Sequence, residues 1–353
     1  MNDKRVLVGL SGGVDSSVCA LLLQRAGYEV LGATLDLCDG AASGSIGDAA
    51  AVARRLGIPF ASYDFRAAFE THVMDRFAAD YCAGRTPNPC IECNPAVKFA
   101  KMLEAADALG CAYIATGHYA RAEHDPVRGR WLLKKGKNLQ KDQSYVLYRL
   151  SQEQLSRTLL PLGAMESKEA IRALAEEEGL VTARKKDSQD ICFIPDGDYA
   201  AFLERRGVTL IPGDFVDEAG RVLGRHKGLP CYTTGQRKGL GVGGSAYPLY
   251  VLGKDEKSNT VLLGPEERLY TSRAVIGRCN WIAFEELTAP VRCTAKTRYS
   301  HTEAAATLSP LPGGLAEVLF DAPQRAITPG QSAVLYDGET VLGGGVIRPP
   351  EGA

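Results

Sequence analysis

A glycine-rich turn near the N-terminus constrains the fold of this chain more than any other stretch. Gly9–Ser17 reads GLSGGVDSS and overlaps the end of the apolar run Val6–Leu10. The residues that follow form a helical pattern, with Val18, Leu21 and Leu22 on one face. Glycines let backbone N–H groups approach an anion, and a helix N-terminus adds free donors and a positive dipole end. The pattern therefore predicts a phosphate site between a strand and a helix.

The residues after the glycines distinguish this turn from a P-loop. A P-loop places a lysine there, whereas this chain has Asp15 and Ser16, so γ-phosphate transfer is not favoured. A Gly-Gly turn capped by Asp15 is the purely structural alternative. The full string SGGVDSS is more specific, and it resembles the PP-loop of the ATP pyrophosphatase superfamily. That resemblance implies cleavage of ATP between the α and β phosphates and adenylation of a substrate oxygen.

Length and composition indicate a soluble globular protein with more than one domain. The chain has 353 residues, of which 45% are hydrophobic and 24% are charged, enough for two or three separate cores. No apolar run approaches the roughly 20 residues that a membrane span needs. Met1–Arg5 leads directly into a predicted strand rather than into a signal peptide. We therefore expect a cytoplasmic protein without a membrane partner.

The basic residues are distributed unevenly although the formal net charge is only −1. They cluster in three runs, Arg128–Lys141, Arg184–Lys186 and Arg221–Lys238. One such run is usually a solvated face, whereas several together favour a surface for a polyanion such as a nucleic acid.

The order of predicted elements divides the chain into three parts. Strands and helices alternate up to about residue 120, with helices predicted over Asp48–Leu56, which Asp48 would cap, and Pro95–Leu109. This alternation predicts a doubly wound parallel sheet, with ligands at the carboxyl ends of its strands. A more helical stretch runs from Leu132 to about Ala183, where Ser167 is expected to cap a helix. Short apolar runs between turns then predict two smaller β-rich domains. We place the domains at 1–200, 201–268 and 269–353.

Two of the ten cysteines lie in a proline-rich loop that leads into the predicted helix at Pro95. The loop Arg85–Pro95 holds Cys90 and Cys93, and the helix dipole is expected to lower the pKa of Cys93. Four-ligand zinc is not favoured because no second C-x-x-C and no suitably spaced histidine pair accompany these thiols. Cys192 stands between apolar residues, which by itself indicates a buried core cysteine.

An ordered series of motifs changes this interpretation. The series resembles the family of bacterial tRNA-specific 2-thiouridylases, which thiolate the wobble uridine of tRNA, and it covers essentially the whole chain. Its members after SGGVDSS are TPNPC-x-x-CN at 86–94, ATGHYAR at 115–121, KDQSY at 141–145, DSQDICFI at 187–194, TTGQRKGLGV at 233–242, VLGKD at 251–255, PGQSAVLYDGE at 329–339 and LGGG at 342–345.

The resemblance implies a role for each matching residue. Cys93 matches the nucleophile of the family, and Cys192 matches the cysteine that carries a persulfide. The implied ATP-binding residues are Gly9, Leu10, Ser11, Gly12, Gly13, Val14, Asp15, Ser16, Leu35 and Gly117. Those against the target base are Asn88, Pro89 and Cys90. Those facing tRNA are His118, Lys141, Asp142, Gln143, Arg298, Tyr299 and Gln331.

The chemistry that the resemblance implies explains these residue types. ATP with Mg²⁺ would adenylate the uracil oxygen, because this oxygen is otherwise a poor leaving group. A persulfide on Cys192, supplied by a sulfur-relay donor protein or a cysteine desulfurase, would attack carbon 2. Cys93 would then attack the persulfide bond, and a cellular reductant would reset the resulting Cys93–Cys192 disulfide. The wobble base must leave the stacked anticodon loop to be reached.

Departures from the family pattern leave more than one mechanism open. Cys90 stands where some members carry a proposed acid/base aspartate, and Leu35 replaces a common methionine of similar volume. Cys90, Cys93 and Cys192 would also supply three thiols for a 4Fe–4S cluster, as in related tRNA thiolases. Two different functions also remain compatible with the glycine-rich turn, an amide ligase of the same superfamily and an RNA-binding protein with a vestigial nucleotide site. The amide ligase would have no need for Cys93 or Cys192.

Overall fold

The computed structural model describes residues 2–38, 43–185, 191–245 and 247–349. In chain order the strands of the N-terminal part are β1 (Asn2–Gly9), β2 (Glu29–Asp36), β3 (Phe60–Asp64), β4 (Cys111–Ala115), β5 (Ala120–Asp125), β6 (Arg130–Lys135) and β7 (Thr158–Leu159). One five-stranded sheet has the order β3-β2-β1-β4-β7, and all its pairings are parallel. Val6, Leu7 and Val8 of β1 are all buried, as expected for a central strand covered on both faces. The predicted doubly wound parallel sheet is confirmed.

Helices connect the strands of this sheet and cover it. They are α1 (Val14–Arg25), α2 (Ser43–Leu56), α3 (Arg66–Phe69), α4 (Asp75–Cys82), α5 (Pro89–Cys93), α6 (Ala100–Ala108), α7 (Ser144–Leu147), α8 (Gln152–Ser156), α9 (Lys168–Glu177) and α10 (Tyr199–Arg205). π-Helical turns at Glu70–Met74 and Asn94–Phe99 join α3 to α4 and α5 to α6. Ser167 caps α9 as predicted, because its side chain accepts a hydrogen bond from the N–H of Ala170. Among the described residues, no helix is long and apolar enough to cross a membrane.

Two helix starts differ from the prediction. Helix α2 begins at Ser43 rather than after an Asp48 cap, and the Asp48 carboxylate pairs with Lys185 instead. The cysteine-bearing helix begins at Pro89 rather than at Pro95, because Asn88 caps it by accepting the N–H of Cys90. Proline suits a first helical turn, and here two prolines fit that rule at different places. Both thiols therefore lie within helix α5 and not in a preceding loop.

A β-hairpin replaces the start of the predicted helical stretch. Strands β5 and β6 pair antiparallel, so Leu132 lies in a strand, and the first helix after it begins at Ser144. The Asp125 carboxylate accepts the N–H groups of Val127 and Arg128, which forms the turn. The charged side chains of this segment obscured its strand pattern. Lys134 pairs with Glu123, so the basic run Arg128–Lys141 is partly neutralised.

The C-terminal part contains two β structures. Its strands are β8 (Gly213–Val216), β9 (Val222–His226), β10 (Tyr250–Asp255), β11 (Thr260–Gly264), β12 (Tyr270–Trp281), β13 (Val291–Lys296), β14 (Ala304–Leu311), β15 (Leu315–Arg325), β16 (Ser332–Asp337) and β17 (Thr340–Ile347). The first four form a sheet of order β10-β11-β8-β9. The others close into a six-stranded barrel, because β12 pairs with both β15 and β17. The two predicted β-rich units are therefore present.

The barrel joins the N-terminal part through the hairpin and through polar contacts. Strand β17 pairs with β6 at Thr340 and Lys134, so hairpin and barrel belong to one sheet. The buried Tyr145 hydroxyl donates a hydrogen bond to the carbonyl of Ser332 in the barrel at 2.8 Å. The buried Tyr148 hydroxyl shares a hydrogen bond with Ser332 Oγ at 2.9 Å. The barrel therefore packs directly beside the segments that carry the candidate site.

Candidate functional site

The glycine-rich turn lies at the carboxyl end of β1 and opens into α1. Gly12 has a φ of 68°, which L-residues with side chains rarely adopt, and Gly13 occupies the cap position before Val14. Ser16 closes the turn, since its Oγ accepts the N–H of Ser11 at 3.1 Å and donates to the carbonyl of Gly13. The N–H groups of the first turn of α1 have no intrahelical acceptor and remain free for an anion. This arrangement of backbone donors can hold a phosphate group.

Gly117 and Leu35 come from the neighbouring strand ends. A Cβ atom at Gly117 would lie 2.8 Å from the backbone N of Ser16 and equally close to the carbonyl carbon of Asp15. Only glycine therefore fits between β4 and the start of α1. Leu35 lies at the end of β2 and packs, partly buried, against the core beneath the sheet. Gly9–Ser16 and Gly117 are thus brought together, with Leu35 on the adjacent strand.

Two lysines beside the turn were not predicted from the sequence. The Lys168 ammonium lies 2.7 Å from the Asp15 carboxylate, which also accepts the Tyr119 hydroxyl at 2.6 Å. Lys185 donates to the carbonyl of Gly12 at 2.9 Å. Lys185 belongs to the basic run 184–186, of which Lys186 lies outside the described residues. Both lysines are far from the turn along the chain, so no local sequence pattern linked them to it. Their positive charges suit a phosphate ligand.

Helix α5 presents its two thiols differently. Cys90 is exposed, whereas only 5% of Cys93 is exposed. Burial raises the pKa of Cys93 to about 12, even though the Lys98 ammonium and the Lys98 backbone N–H lower it. The helix dipole led us to expect a lowered pKa, and that direction is wrong. Cys93 is the last residue of α5 and does not lie beside a helix N-terminus, so the dipole does not favour its thiolate and desolvation dominates. Cys93 is therefore a shielded thiol that needs a nearby cation or base to ionise.

Cys192 lies on a turn anchored by its neighbour Phe193. The Phe193 ring is buried among Phe69, Phe77 and Phe202, with ring centroids 5.6, 5.3 and 5.1 Å away. The Cys192 side chain itself is exposed, so the local prediction of a core cysteine is wrong. Residues 187–190 of the same motif lie outside the described residues. The Cys192 thiol is thus accessible from outside the protein on a turn that the Phe193 ring anchors.

Lys98 connects the three thiols electrostatically. It lies on the π-helical turn that follows Cys93, and its ammonium lowers the pKa of both Cys93 and Cys192. Burial lowers the pKa of Lys98, but the facing thiols raise it, and the net direction is upward. Burial and Lys98 lower the pKa of His118 to about 3, so the imidazole is neutral, and its Nδ1 lies 2.7 Å from Thr116 Oγ1. The spacing of residues in the sequence did not identify Lys98 as a residue of the candidate site.

Several residues expected to face tRNA make hydrogen bonds within the protein. The buried Asp142 carboxylate accepts the N–H groups of Gly136 and Ser144. Gln143 accepts the N–H of Tyr119 at 3.0 Å. These bonds hold the segment between the hairpin and α7 in place.

Other tRNA candidates lie on or near the barrel. Arg298 donates to the carbonyl of Thr234 and to Thr328, and Gln331 donates to the carbonyl of Thr86 at 2.7 Å. Tyr299 is 42% exposed, and Lys141 is partly exposed. Tyr299 is thus the most exposed of these candidates, and Cys90 of the target-base set is exposed as well.

The three thiols have the right chemistry for a metal cluster. All ten cysteines are free, and Cys90, Cys93 and Cys192 are the ligand type that iron–sulfur clusters use. Within the described ranges, no three histidine, cysteine, aspartate or glutamate side chains are grouped closely enough to hold a single metal ion.

The thiol environment predicts how alkylation depends on pH. The protein around Cys192 desolvates its thiol and raises the pKa to about 11 although the side chain is accessible from outside, and Lys98 acts in the opposite direction. Since only the thiolate reacts, we expect the rate of Cys192 alkylation by iodoacetamide to rise about tenfold per pH unit between about pH 7 and 9, without a plateau. Replacing Lys98 with methionine should make the alkylation of Cys192 slower than in the unaltered protein at the same pH. Peptide mass spectrometry measures the rate at each cysteine.

Cys82 provides an internal control for that measurement. It is exposed, burial raises its pKa, and Lys98 does not contribute to its environment. Its alkylation rate should therefore be the same with and without Lys98. A Cys192 rate that levels off near pH 7, or one unaffected by Lys98→Met, would contradict the proposed electrostatic role of Lys98.

The aromatic cluster predicts a stability effect at Phe193. Phe193→Ala removes a ring buried against three others, and we expect it to cost about 3–5 kcal/mol of unfolding free energy. Phe193→Leu should cost clearly less because it retains most of the buried volume. Urea unfolding followed by tryptophan fluorescence and circular dichroism measures both. Equal stability of Phe193→Ala and the unaltered protein would show that the turn is not anchored there.

Comparisons with known proteins cover the whole chain. Residues 4–196 match the family model described as "tRNA methyl transferase HUP domain", residues 200–265 match the "tRNA methyl transferase PRC-barrel domain", and residues 272–347 match the "Aminomethyltransferase beta-barrel domain". A protein of Acetivibrio thermocellus named tRNA-specific 2-thiouridylase MnmA is 48% identical over 99% of this chain and 100% of its own length. One of Heliobacterium modesticaldum with the same name is 50% identical over 97% of this chain and 92% of its own length.

Similar solved structures include a 4-thiouridine synthetase in complex with RNA and bound ATP. It is 16% identical, has a TM-score of 0.37, and the match covers 57% of this chain and 50% of that chain. An NMN synthetase from Francisella tularensis is 15% identical with a TM-score of 0.36, over 53% of this chain and 67% of that chain.

Proposed function

The chain belongs to the family of tRNA-specific 2-thiouridylases, and from this premise we propose how its own residues carry out the thiolation of tRNA. The enzyme is a tRNA-uridine 2-sulfurtransferase that uses ATP. The substrate position is the wobble uridine of the anticodon loop. The observation that supports the mechanism is the difference between an exposed Cys192 and a shielded Cys93, with the Lys98 ammonium lowering the pKa of both thiols. The amide-ligase hypothesis gives way to this assignment.

The glycine-rich turn binds the phosphates of ATP. The free N–H groups at the start of α1 hold the β and γ phosphates, and Lys168 and Lys185 add positive charge beside them. Asp15 is the candidate carboxylate for Mg²⁺, which would neutralise the departing pyrophosphate. The uracil oxygen attacks the α phosphorus, pyrophosphate leaves, and the oxygen becomes part of an AMP leaving group. Gly117 lets the end of β4 pack closely against the start of α1, which keeps these N–H groups in position.

Sulfur transfer then uses the two cysteines in turn. The terminal sulfur of a Cys192 persulfide attacks carbon 2 of the adenylated base, and AMP leaves with the former oxygen. The Cys93 thiolate attacks Cys192 Sγ, so the sulfur–sulfur bond breaks and its electrons remain on the new thiocarbonyl sulfur. The product disulfide joins Cys93 to Cys192, and a two-electron reductant restores both thiols. Lys98 stabilises the thiolates in each step.

Exposure accounts for the division of labour between the thiols. The exposed Cys192 can receive sulfur from a persulfide-carrying donor protein, whereas Cys93 is too buried to react with one. Asn88, Pro89 and Cys90 lie at the start of the same helix as Cys93, where they would line the pocket for the flipped base. We propose that His118, Lys141, Arg298, Tyr299 and Gln331, with Asp142 and Gln143 as supports, shape the tRNA surface. Reduced thiols and a tRNA substrate favour the cytoplasm as the place of this reaction.

The experiment that tests the proposal is a complete thiolation reaction. Unmodified tRNA is incubated with the protein, ATP, Mg²⁺ and a persulfide donor, and its nucleosides are analysed by mass spectrometry. We expect 2-thiouridine only in the complete mixture, together with AMP and pyrophosphate. Omission of ATP or of the donor is the control. Absence of 2-thiouridine while tRNA still binds would contradict the proposal and favour an RNA-binding role.

Protein prepared without oxygen tests the cluster route for the sulfur step. The persulfide route requires no iron, so we expect no stoichiometric iron and no visible absorption band. A band with about four irons per chain, lost on substitution of Cys90, would favour the cluster route.

A further inference from the structure

Glu92, between the two thiols of helix α5, is held by three arginines. Arg76 Nη1 lies 3.0 Å from Glu92 Oε2, and Arg278 Nη2 lies 3.1 Å from Glu92 Oε1. Arg149 also donates to Oε1. Only 13% of the Glu92 side chain is exposed. A single carboxylate shared by three cations and largely removed from water differs from an ordinary surface ion pair, which contributes little to stability.

The three arginines come from three different segments. Arg76 belongs to α4, Arg149 follows α7, and Arg278 lies on barrel strand β12. Glu92 is therefore a junction between the α/β domain and the barrel. The thiols on either side of it share a helix with this junction.

The barrel backbone is shaped at this contact. Arg278 has a φ of 51°, an uncommon value for a residue with a side chain, and it lies at a register shift in the pairing of β12 with β17. The neighbouring Asn280 donates to the carbonyls of Tyr148 and Leu150, on both sides of Arg149. The irregular stretch of β12 at Arg278 therefore contacts Glu92 and also holds the segment that carries Arg149, another arginine paired with Glu92.

A second barrel contact lies just before the helix. The N–H of Thr86 donates to the carbonyl of Pro329 at 3.0 Å, and Gln331 donates to the carbonyl of Thr86. A Cβ atom at Gly330 would lie 2.8 Å from the backbone N of Thr86, which shows how closely the chains approach. The barrel thus contacts the cysteine segment at Thr86, before Cys90, and again at Glu92, between Cys90 and Cys93.

We propose that Glu92 and Arg278 are positioning residues through which the C-terminal barrel sets the place of Cys93 relative to Cys192. The inference rests on the proposed sulfur transfer and deepens it. Neither side chain needs to touch the base or the sulfur. In-line attack of one sulfur on another requires close alignment, and a misplacement of about 1 Å costs about a hundredfold in rate. Two contacts with the barrel fix the position of helix α5 and so meet that requirement. tRNA bound to the barrel would act on helix α5 through the same two contacts.

The first test compares Arg278→Asn with Arg292→Asn. Asparagine tolerates the left-handed backbone of position 278 and removes the guanidinium that reaches Glu92. Arg292 is a matched control because it is a barrel arginine paired with Asp321 and not with Glu92. We expect Arg278→Asn to lower kcat for 2-thiouridine formation by about 10- to 100-fold, with KM for tRNA changed less than about threefold. Arg278→Lys should recover part of the loss. An unchanged kcat, or a loss confined to KM, would overturn the proposal.

A second test needs neither tRNA nor ATP. Oxidised glutathione drives formation of the Cys93–Cys192 disulfide in the full-length protein, and peptide mass spectrometry follows its rate. Glu92→Gln and Arg278→Asn should form this disulfide at least about tenfold more slowly than Arg292→Asn and the unaltered protein. Equal rates in all four proteins would overturn the positioning role. This readout stands even if no 2-thiouridine is made, so failure of the inference and failure of the proposed function are distinguishable. Glu92→Gln, which removes the charge from the other side of the same ion pair, decides the outcome if Arg278→Asn does not fold.

Discussion

Cys192→Ser is expected to abolish 2-thiouridine formation while ATP-dependent adenylation of tRNA continues. Serine cannot carry a persulfide, so no sulfur nucleophile reaches carbon 2, and the rate should fall at least about a thousandfold. The phosphate-binding turn and Gly117 do not involve this thiol, so pyrophosphate should still be released in a single turnover. Nucleoside mass spectrometry and a pyrophosphate assay measure the two steps separately.

Cys93→Ser should also stop product release, but by a different route. The Cys192 persulfide can still attack the activated base, and no second thiol then breaks the sulfur–sulfur bond. A covalent adduct between protein and tRNA should therefore accumulate on a non-reducing gel and disappear when dithiothreitol is added. Cys192→Ser should form no such adduct.

Cys82→Ser is the matched control for both substitutions. Cys82 is an exposed thiol at the end of α4, and its removal should leave both steps unchanged. Normal 2-thiouridine yield from Cys192→Ser would contradict the persulfide assignment. A normal yield from Cys93→Ser in the absence of an added thiol would contradict the role of Cys93 as the resolving thiol.

Gly117→Val is the second substitution for which we expect a very large effect. Its Cβ would lie 2.8 Å from backbone atoms of Asp15 and Ser16, which cannot move aside as the end of a flexible side chain can. The start of α1 must shift, and its N–H groups no longer converge on the phosphates. We expect ATP affinity, measured by isothermal titration calorimetry, to fall more than about a hundredfold, and adenylation to be lost with it.

Gly47→Ala is the control for a glycine substitution without steric conflict. Gly47 lies within helix α2, and a Cβ there would meet nothing within 4 Å. Alanine should leave ATP binding unchanged and stabilise the helix by up to about 1 kcal/mol. Retention of ATP affinity by a folded Gly117→Val protein would show that the glycine-rich turn is not the nucleotide site.

Local sequence rules predicted the scaffold of the site well. The parallel sheet followed from alternating strand and helix patterns, and the phosphate turn followed from glycines between an apolar run and a helix. Ser167 was predicted as a cap because capping depends on residues a few positions apart. The start of α5 was missed because two prolines satisfied the same rule, and only the Asn88 cap distinguishes them.

Residues that act across the chain were not predictable in the same way. Lys168 meets Asp15, and Arg278 meets Glu92, at separations of 153 and 186 residues. Neither pair has a periodicity or a spacing by which it could be recognised. Lys98 was missed for a related reason, because its importance depends on which side chains are buried with it.

The fold class, the phosphate turn and the identity of the two thiols can all be predicted from the amino-acid sequence, because they depend on local order and on motifs. The folded chain is needed to tell which thiol is shielded and which is exposed, and in which direction the pKa of Cys93 moves. Desolvation and ion pairing cause this difference, since both depend on neighbours that only folding brings together. Helix α5, the barrel strand β12 and the Phe193 cluster are distant in sequence, and their packing sets the chemistry of residues that the motifs had named.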